Sequence, residues 1–198
     1  MAVSSRNGRL LQGAFQARAA EAQIAAKQAR YQALHHGSTR LPNREYFRAR
    51  LERALRRSEP PNQALAVLYM SLNLEDFQPS IDACGREAAD KFLKSIASGL
   101  AAAVRAEDML GCLDSDQFVC LAPGLSKREY LSGLAKKMLS SVPFPLRIGA
   151  LQLSVRPSIG IAIYPQDGTS AEVLLSNAKL AMHSAKQRAA GHTFVDEG

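Results

Sequence analysis

The sequence predicts an α+β fold in which helices pack on a mostly antiparallel sheet. An apolar run over residues 64–72 has the length of a strand and almost no polar interruption, which is typical of a central strand covered on both faces. Two short apolar segments, 109–113 and 118–121, flank the polar residues 114–117 and predict a β-hairpin. Helical patterns alternate with these strands, and the whole order reads α-β-α-β-β-α-β-β-α.

Two helices are predicted before the first strand. Residues 8–34 are rich in Ala, Gln and Arg and contain no proline, a composition that favours a long helix. A second, charged helix is predicted over 43–57, and a pair of prolines shortly afterwards ends it. We therefore divide the chain into an N-terminal signalling or linker helix, residues 1–34, and one domain, residues 35–198.

The N-terminal helix has two interpretations. Its apolar positions keep roughly helical spacing, but most of them are alanines, so the apolar stripe is thin. They are Leu11, Phe15, Ala19, Ala22, Ala26, Tyr31 and Leu34. Such a stripe buries little surface by itself, so the helix is either a lone extension or a signalling helix that pairs in a homodimer.

The remaining elements follow from the same patterns. An amphipathic helix is predicted over 86–105, and another after the hairpin over 126–141. Strands are predicted over 146–150 and 151–164, the second interrupted by a proline. Residues 169–172 form a capping-box sequence that opens the last helix.

Composition excludes several classes of protein. The chain has 198 residues, 46% hydrophobic and 22% charged, which fits one packed domain with an appendage rather than a disordered chain. No segment is apolar for the roughly 20 residues of a membrane helix, and no signal peptide is evident, so we expect a cytoplasmic protein without membrane contact. Cys84, Cys112 and Cys120 lack the spacing of a metal site, and we expect reduced, buried thiols.

The positive charge is concentrated at the N-terminal end. The formal net charge is +7, yet residues 1–58 contain 12 Lys and Arg against 3 Asp and Glu, and the rest of the chain is near neutral. No pattern of exposed aromatic residues accompanies the basic segment, so we expect no nucleic-acid binding.

Three motifs occur in order along the chain, HHGSTRLPNR, SIGIAIYPQDG and AKLAMHSAK. In this order and spacing they resemble those of a GGDEF domain, the nucleotidyl-cyclase-like fold that condenses two GTP into cyclic-di-GMP. Residues 35–44, HHGSTRLPNR, are similar to the family's H-D-x-L-T-G-L-P-N-R sequence. Residues 158–168, SIGIAIYPQDG, and 178–186, AKLAMHSAK, resemble its S-I-G-I-A…D-G and A-D-x-A-M-Y-x-A-K sequences. The resemblance covers about residues 35–195.

The resemblance implies that the hairpin turn is the catalytic motif, and the turn departs from it. Asp114, Ser115, Asp116, Gln117 and Phe118 stand where the family has G-G-D-E-F. Glycine lets the backbone approach nucleotide phosphates, and the first two residues here carry side chains instead. The fourth position is a neutral amide, which cannot accept a proton as the family's acidic residue does.

The metal position that the resemblance implies is also changed. The family has a Mg²⁺-binding Asp at the end of the first strand, where this chain has Asn73. Of the three family positions for metal and catalysis, only Asp116 is still a carboxylate, and Glu75 is acidic at a neighbouring position. We therefore expect no bound metal and no cofactor.

Nucleotide contacts are partly retained by the same comparison. Asp90 matches a base-contacting position and Lys186 a phosphate-contacting lysine, although Asp90 is equally an ordinary polar helix residue. The other base-contacting position, an Asn in the family, is Ile81, which has no hydrogen-bonding group. The phosphate arginine has no clear counterpart in residues 190–192.

Arg105 and Asp108 form an R-x-x-D sequence nine residues before the turn. The resemblance implies an inhibitory cyclic-di-GMP site here, since Arg can bind a guanine edge with two hydrogen bonds and Asp can accept from base N–H groups. The alternative is that both residues cap the junction between a helix and a strand.

Together these observations predict a catalytically inactive GGDEF-like regulatory domain, acting through dimerisation and contacts with protein partners or an adjacent signalling domain. The wording of the C-terminal motif is typical of composite proteins in which an EAL phosphodiesterase domain follows. The alternatives are a cyclic-di-GMP receptor and a weak diguanylate cyclase that uses Asp116 and Glu75.

Overall fold

The computed structural model describes residues 18, 21–57, 64–154 and 156–197. The helices are α1 over residues 21–34, α2 Arg44–Arg57, α3 Gln78–Ala83, α4 Arg86–Ala103, α5 Arg128–Ser140 and α6 Ala171–Arg188. The strands are β1 Leu65–Ser71, β2 Met109–Asp114, β3 Gln117–Pro123, β4 Leu146–Ile148, β5 Leu151–Leu153, β6 Ser158–Tyr164 and β7 His192–Phe194. Short 3₁₀ turns cover Glu75–Phe77 and Val195–Glu197.

Five strands form one sheet in the order β2-β3-β1-β6-β7. The pairs β2–β3, β3–β1 and β1–β6 are antiparallel, and only β6–β7 is parallel. The strands β4 and β5 form a separate antiparallel pair. The predicted α+β class with a mostly antiparallel sheet is confirmed.

Strand β1 lies in the centre of the sheet and is buried along its whole length. Its alternate residues enter two cores, because successive side chains point to opposite faces of a strand. Leu68 and its even-numbered neighbours pack with α4 and α5, and Val67 and its odd-numbered neighbours pack with α2 and α6. The continuous apolar run is therefore required by helices on both sides of the sheet.

Helix α6 lies directly against β6, and Gly160 permits this. A Cβ atom at Gly160 would lie 1.9 Å from the carbonyl oxygen of Ala178 and 2.2 Å from the amide nitrogen of Met182. Both are backbone atoms of α6, so no side-chain movement would relieve the overlap. This packing fixes the C-terminal end of α6 beside the end of β1.

Three details differ from the predictions. The N-cap of α6 is Ser170, whose Oγ accepts a hydrogen bond from the amide of Val173 at 3.2 Å. The helix is therefore capped one residue later than the predicted Thr169. The predicted strand 151–164 is divided into β5 and β6. Helix α3 and strand β7 were not predicted, because each is too short to show a periodic pattern.

The described part of the N-terminal helix, α1, lies on the surface. Ile24 is 57% exposed and Tyr31 is 44% exposed, although the Tyr31 ring stacks on that of His35 with centroids 3.8 Å apart. Leu11, Phe15 and Ala19 of the predicted stripe lie outside the described residues. Among the helices of the described ranges, none combines the length and apolar character needed to cross a bilayer.

The cysteines follow the expectation in part. Cys112 and Cys120 are buried free thiols, whereas Cys84 is only partly buried. Burial raises the pKa of Cys112 to about 11, so this thiol is not a reactive thiolate at neutral pH.

Candidate functional site

The candidate site lies where the three central strands meet at one edge of the sheet. Ser71, the last residue of β1, pairs with Gln117 at the start of β3 and with Ser158 at the start of β6. The loop after β1, the hairpin turn and the segment before β6 therefore converge around Ser71. The predicted metal-binding and motif residues lie in these three segments.

Asn73, at the predicted metal position, connects the loop after β1 to β6. Its backbone has a positive φ of 58°, which Asn adopts more readily than most residues. Its Nδ2 donates hydrogen bonds to the carbonyl oxygen of Arg156 at 2.7 Å and to Ser158 Oγ at 3.0 Å. The reverse amide orientation would place two oxygens in contact, so the nitrogen must face Arg156. The oxygen, Oδ1, is buried and has no hydrogen-bond partner in the described part of the chain.

Asp116, the retained motif carboxylate, is held by β1. Ser71 Oγ donates to its Oδ2 at 3.1 Å, and its backbone carbonyl accepts from the amide of Leu72 at 2.8 Å. Burial raises the pKa of Asp116; the Ser71 hydrogen bond opposes this, and the negative charges of Glu75 and Asp114 raise the pKa further. The carboxylate is therefore harder to ionise than a free aspartate.

Gln117, at the predicted acid–base position, is bonded to the core. The hydroxyl of Tyr69 donates to Gln117 Oε1 at 2.6 Å, and the Tyr69 ring is buried between the sheet and its helices. Burial raises the pKa of Tyr69, so the hydroxyl stays protonated as a donor. The amide thus serves as an acceptor within the domain, and it has no titratable proton for acid–base catalysis.

The turn itself has an ordinary backbone. Neither Asp114 nor Ser115 has a positive φ, and the amide of Ser115 donates to Asp114 Oδ1 at 2.8 Å. Both side chains are exposed, whereas Phe118 is fully buried in the core. Asp114 and Ser115, which stand where the family has two glycines, are therefore accommodated without backbone strain. Phe118 has a packing role.

Glu75 and Lys186 form an ion pair across the site. Lys186 Nζ lies 3.1 Å from Glu75 Oε2, joining the loop after β1 to the C-terminal end of α6. Burial raises the pKa of Glu75, but hydrogen bonds from its own backbone and from Lys186 outweigh this and lower it. Because both side chains are partly exposed, the pair contributes at most about 1 kcal/mol to stability. Each of the two charges is nevertheless neutralised by the other.

These donors do not make up a binding set for a divalent metal ion. Mg²⁺ is bound through carboxylates and other oxygens, usually with substrate phosphates. Here Asp116 accepts a hydrogen bond from Ser71, Glu75 is paired with Lys186, and Asn73 offers one amide oxygen. Over the described ranges, no group of three His, Cys, Asp or Glu residues is placed to hold a metal.

The predicted base-contacting positions have internal partners. Ser38 Oγ donates to Asp90 Oδ1 at 2.5 Å, which ties the segment before α2 to α4. Ile81 is buried in the core that α4 and α5 share with the sheet. The structure thus gives Asp90 a structural contact, the alternative that the sequence left open.

Arg105 and Asp108 are bonded to each other. The Arg105 amide and Nε donate to Asp108 Oδ2 at 2.9 and 3.2 Å, and Nη2 donates to Oδ1 at 2.6 Å. Nη1 of Arg105 lies 3.1 Å from Glu107 Oε1. The Asp108 side chain is 0% exposed, so a ligand would reach its carboxylate only after the pair opens. The geometry favours the capping alternative.

Several residues of the site were not predicted from the sequence. Ser71 and Ser158 are buried polar residues in otherwise apolar strands, and Tyr69 is an aromatic residue in an aliphatic run. A buried polar group needs a partner, so these serines were a signal that could have been used. Arg156 contributes through its backbone carbonyl, which no sequence pattern reveals.

Chemically, the site is a network of internal contacts. It contains the half-buried carboxylate of Asp116, the exposed carboxylate of Asp114, two neutral amides that bind neighbouring strands and one ion pair. Such a set can hold three strands and a helix together. Neither of the two amides can act as a general base.

Comparison with known proteins identifies the family. The family model described as "Diguanylate cyclase, GGDEF domain" matches residues 33–192. The chain is 34% identical over 165 residues to the bifunctional diguanylate cyclase/cyclic di-GMP phosphodiesterase MucR of Pseudomonas aeruginosa, covering 83% of this chain and 24% of MucR. It is 36% identical over 169 residues to the diguanylate cyclase TpbB of the same species, covering 84% of this chain and 38% of TpbB.

Solved structures give the same fold. The GGDEF domain of TpbB matches with a TM-score of 0.69 and 32% identity, over 81% of this chain and 91% of that one. The coiled coil and GGDEF domain of DgcB from Caulobacter crescentus, in complex with c-di-GMP, matches with a TM-score of 0.76 over 96% of this chain and 99% of that one. At 19% identity the DgcB match shows the fold alone. With a family match over most of its length and a relative at 34% identity, this chain belongs to the GGDEF family of diguanylate cyclase domains.

Proposed function

We propose that this GGDEF domain is a catalytically inactive regulatory module of cyclic-di-GMP signalling. It acts through dimerisation and through contacts with partner proteins or a neighbouring domain. The observation that carries the proposal is the pair of neutral amides, Asn73 and Gln117, at the family's metal and acid–base positions. Each is hydrogen-bonded within the domain. No cofactor is required.

The competing hypothesis is a weak diguanylate cyclase, which the names of MucR and TpbB favour. It needs Asp116 and Glu75 to hold Mg²⁺ together. Glu75 is already paired with Lys186, and burial makes Asp116 harder to ionise. A cyclase would have to break this ion pair and abstract the 3′-hydroxyl proton without the motif's glutamate.

A turnover assay separates the two hypotheses. The purified chain, at high concentration with GTP and Mg²⁺ or Mn²⁺, is assayed for cyclic-di-GMP by chromatography, beside an active diguanylate cyclase as positive control. We expect no product. Turnover that Asp116→Ala abolishes would overturn the proposal, because it would assign catalysis to the remaining carboxylate.

We further propose that residues 1–34 form a signalling helix through which two copies associate. Ala22 and Ala26 of the predicted stripe are exposed on α1, which supports this. Sedimentation of the whole chain is compared with a version beginning near Gln32, and we expect a dimer and a monomer respectively. Ala26→Glu, on the apolar stripe, should weaken the dimer, whereas Gln28→Glu, which adds the same charge on the opposite face of α1, should not. A monomeric whole chain would remove this part of the proposal.

In the full-length protein, we propose that activity resides in a neighbouring domain of the EAL phosphodiesterase kind. The name of MucR, a bifunctional cyclase and phosphodiesterase, supports this arrangement. The present chain spans 24% of MucR and 38% of TpbB, which leaves most of each relative outside the match. Sequencing of the flanking gene region tests it directly, and an encoded chain with no phosphodiesterase domain would contradict it.

A further inference from the structure

A groove of about 740 Å³ separates α2 from α6, on the face of the sheet opposite to α4 and α5. Its walls carry Arg44, Arg48 and Arg56 from α2, and Lys179 from α6. None of these residues belongs to the candidate site described above. The groove therefore needs a separate explanation.

The groove has an excess of positive charge. Four basic residues face two acidic ones, Glu52 and Glu172. Arg48 is paired with Glu52 at 2.9 Å, so these two charges cancel. None of the ion pairs found among the described residues involves Arg56 or Lys179. Exposed arginines without acidic partners favour an anionic ligand.

The floor of the groove is partly apolar. Leu55 and Ala171 are buried there, and Leu175 packs against the same core at the edge. An occupant that carries both acidic and apolar side chains would therefore match the surface in two respects. A bare polyanion would use only the basic rim.

Nucleic acid is a poor match for this surface. Proteins that bind single strands present exposed aromatic rings on which bases stack. The tyrosines at this groove do not, because Tyr69 is 1% exposed and Tyr164 packs against the core. Arginine forks pair with carboxylates as well as with phosphates, so an acidic protein segment satisfies the charge without needing rings.

The groove also lies close to the motif turn. Tyr69, at its floor, donates its hydroxyl hydrogen bond to Gln117 of the turn at 2.6 Å. The Arg44 guanidinium lies close enough to this hydroxyl to oppose the effect of burial on the pKa of Tyr69. An occupant that draws Arg44 towards itself would thus alter the surroundings of the Tyr69–Gln117 bond.

We propose that the groove between α2 and α6 binds an acidic protein segment. Arg44, Arg56 and Lys179 contact its carboxylates, and Leu55 and Leu175 contact its apolar side chains. The inference rests on the proposed function, since it names the surface through which an inactive domain makes protein contacts. Cyclase turnover would overturn the proposed function and leave the binding measurement below unaffected.

The test uses the full chain and a fluorescently labelled peptide of alternating Glu and Leu, followed by fluorescence anisotropy. The double variant Arg56→Glu/Lys179→Glu reverses two charges of the groove. The matched control, Arg50→Glu/Arg53→Glu, makes the same change in net charge at exposed positions of α2 that do not line the groove. We expect the groove variant to weaken binding by about tenfold or more and the control by less than about twofold.

Three further measurements complete the design. Rising salt should weaken binding, because exposed charges are screened, and a peptide with Gln in place of Glu should not bind. Circular dichroism checks that both double variants are folded. Equal weakening by both variants would show that net charge alone attracts the peptide, and would overturn the proposal. Tighter binding of an oligothymidylate probe, or no peptide binding at low salt, would overturn it as well.

Discussion

Restoring the family's metal-binding residue, by Asn73→Asp, should destabilise the domain. In the structure, Asn73 Nδ2 donates to the Arg156 carbonyl at 2.7 Å and to Ser158 Oγ at 3.0 Å. An ionised aspartate has no proton to donate, so both bonds are lost in their present form. The substitution therefore replaces a connection between the loop after β1 and β6 with a repulsive contact.

The expected loss of stability follows from these two bonds. The Ser158 hydroxyl can turn and donate to the new carboxylate, so this contact is partly recovered. The Arg156 carbonyl cannot, and it would face a negatively charged oxygen. With about 0.5–1.5 kcal/mol for each hydrogen bond and a further cost for the repulsion, we expect a loss of about 1–3 kcal/mol at neutral pH.

Urea denaturation in metal-free buffer measures this loss. Gln152→Glu, an amide-to-acid change at an exposed position of β5, is the matched control and should change stability by less than about 0.5 kcal/mol. Asn73→Gly, which accepts the positive φ of this position, removes the same donors without adding charge and should cost less than Asn73→Asp. The loss for Asn73→Asp should shrink at acid pH, where a protonated carboxyl regains a donor. If the Asn73→Asp variant is as stable as the wild type at neutral pH, the reasoning is refuted.

Three other predictions follow from the structure. Burial raises the pKa of Asp116, so its stabilising contribution is full below the unfolded-state pKa and is lost as pH rises through the folded-state value. Asp116→Asn should therefore raise the melting temperature at pH 7 but not in strong acid, and a lower value at pH 7 would contradict this. Gly160→Ala should cost more than about 3 kcal/mol in urea titrations, because its Cβ would lie 1.9 Å from the Ala178 carbonyl oxygen. Gly133→Ala, whose Cβ would meet nothing within 4 Å, is the control and should be neutral or stabilising. Calorimetry with cyclic-di-GMP should give no heat, because the Arg105 fork is already bonded; heat that Arg105→Ala abolishes would establish a binding site instead.

The sequence was sufficient where structure depends on local pattern. The apolar run at 64–72 identified a central strand because a strand buried on both faces has no polar face to show. The polar residues between two apolar segments located the hairpin turn, and the structure has β2 and β3 on either side of it. Both features are decided by neighbours in the chain.

The contacts of the site could not be predicted in this way. Lys186 and Glu75 are 111 residues apart, and nothing near either residue indicates that they pair. Asn73 reaches Arg156 and Ser158 only because β1 and β6 are neighbours in the sheet. The parallel strand β7 was missed for the same reason, since its three residues are a strand only beside β6.

The two amides together explain how the domain keeps its site folded with few ionised groups. A carboxylate at position 73 would stand near Asp116 and Glu75, and close negative charges destabilise a fold unless a cation binds between them. Asn73 and Gln117 remove two such charges and bond to Arg156, Ser158 and Tyr69 instead. Lys186 supplies a positive charge to Glu75, one of the exposed acids of the site. The arrangement thus substitutes internal donors for a bound cation, and this is why returning a single carboxylate to position 73 should harm the fold rather than restore the reaction.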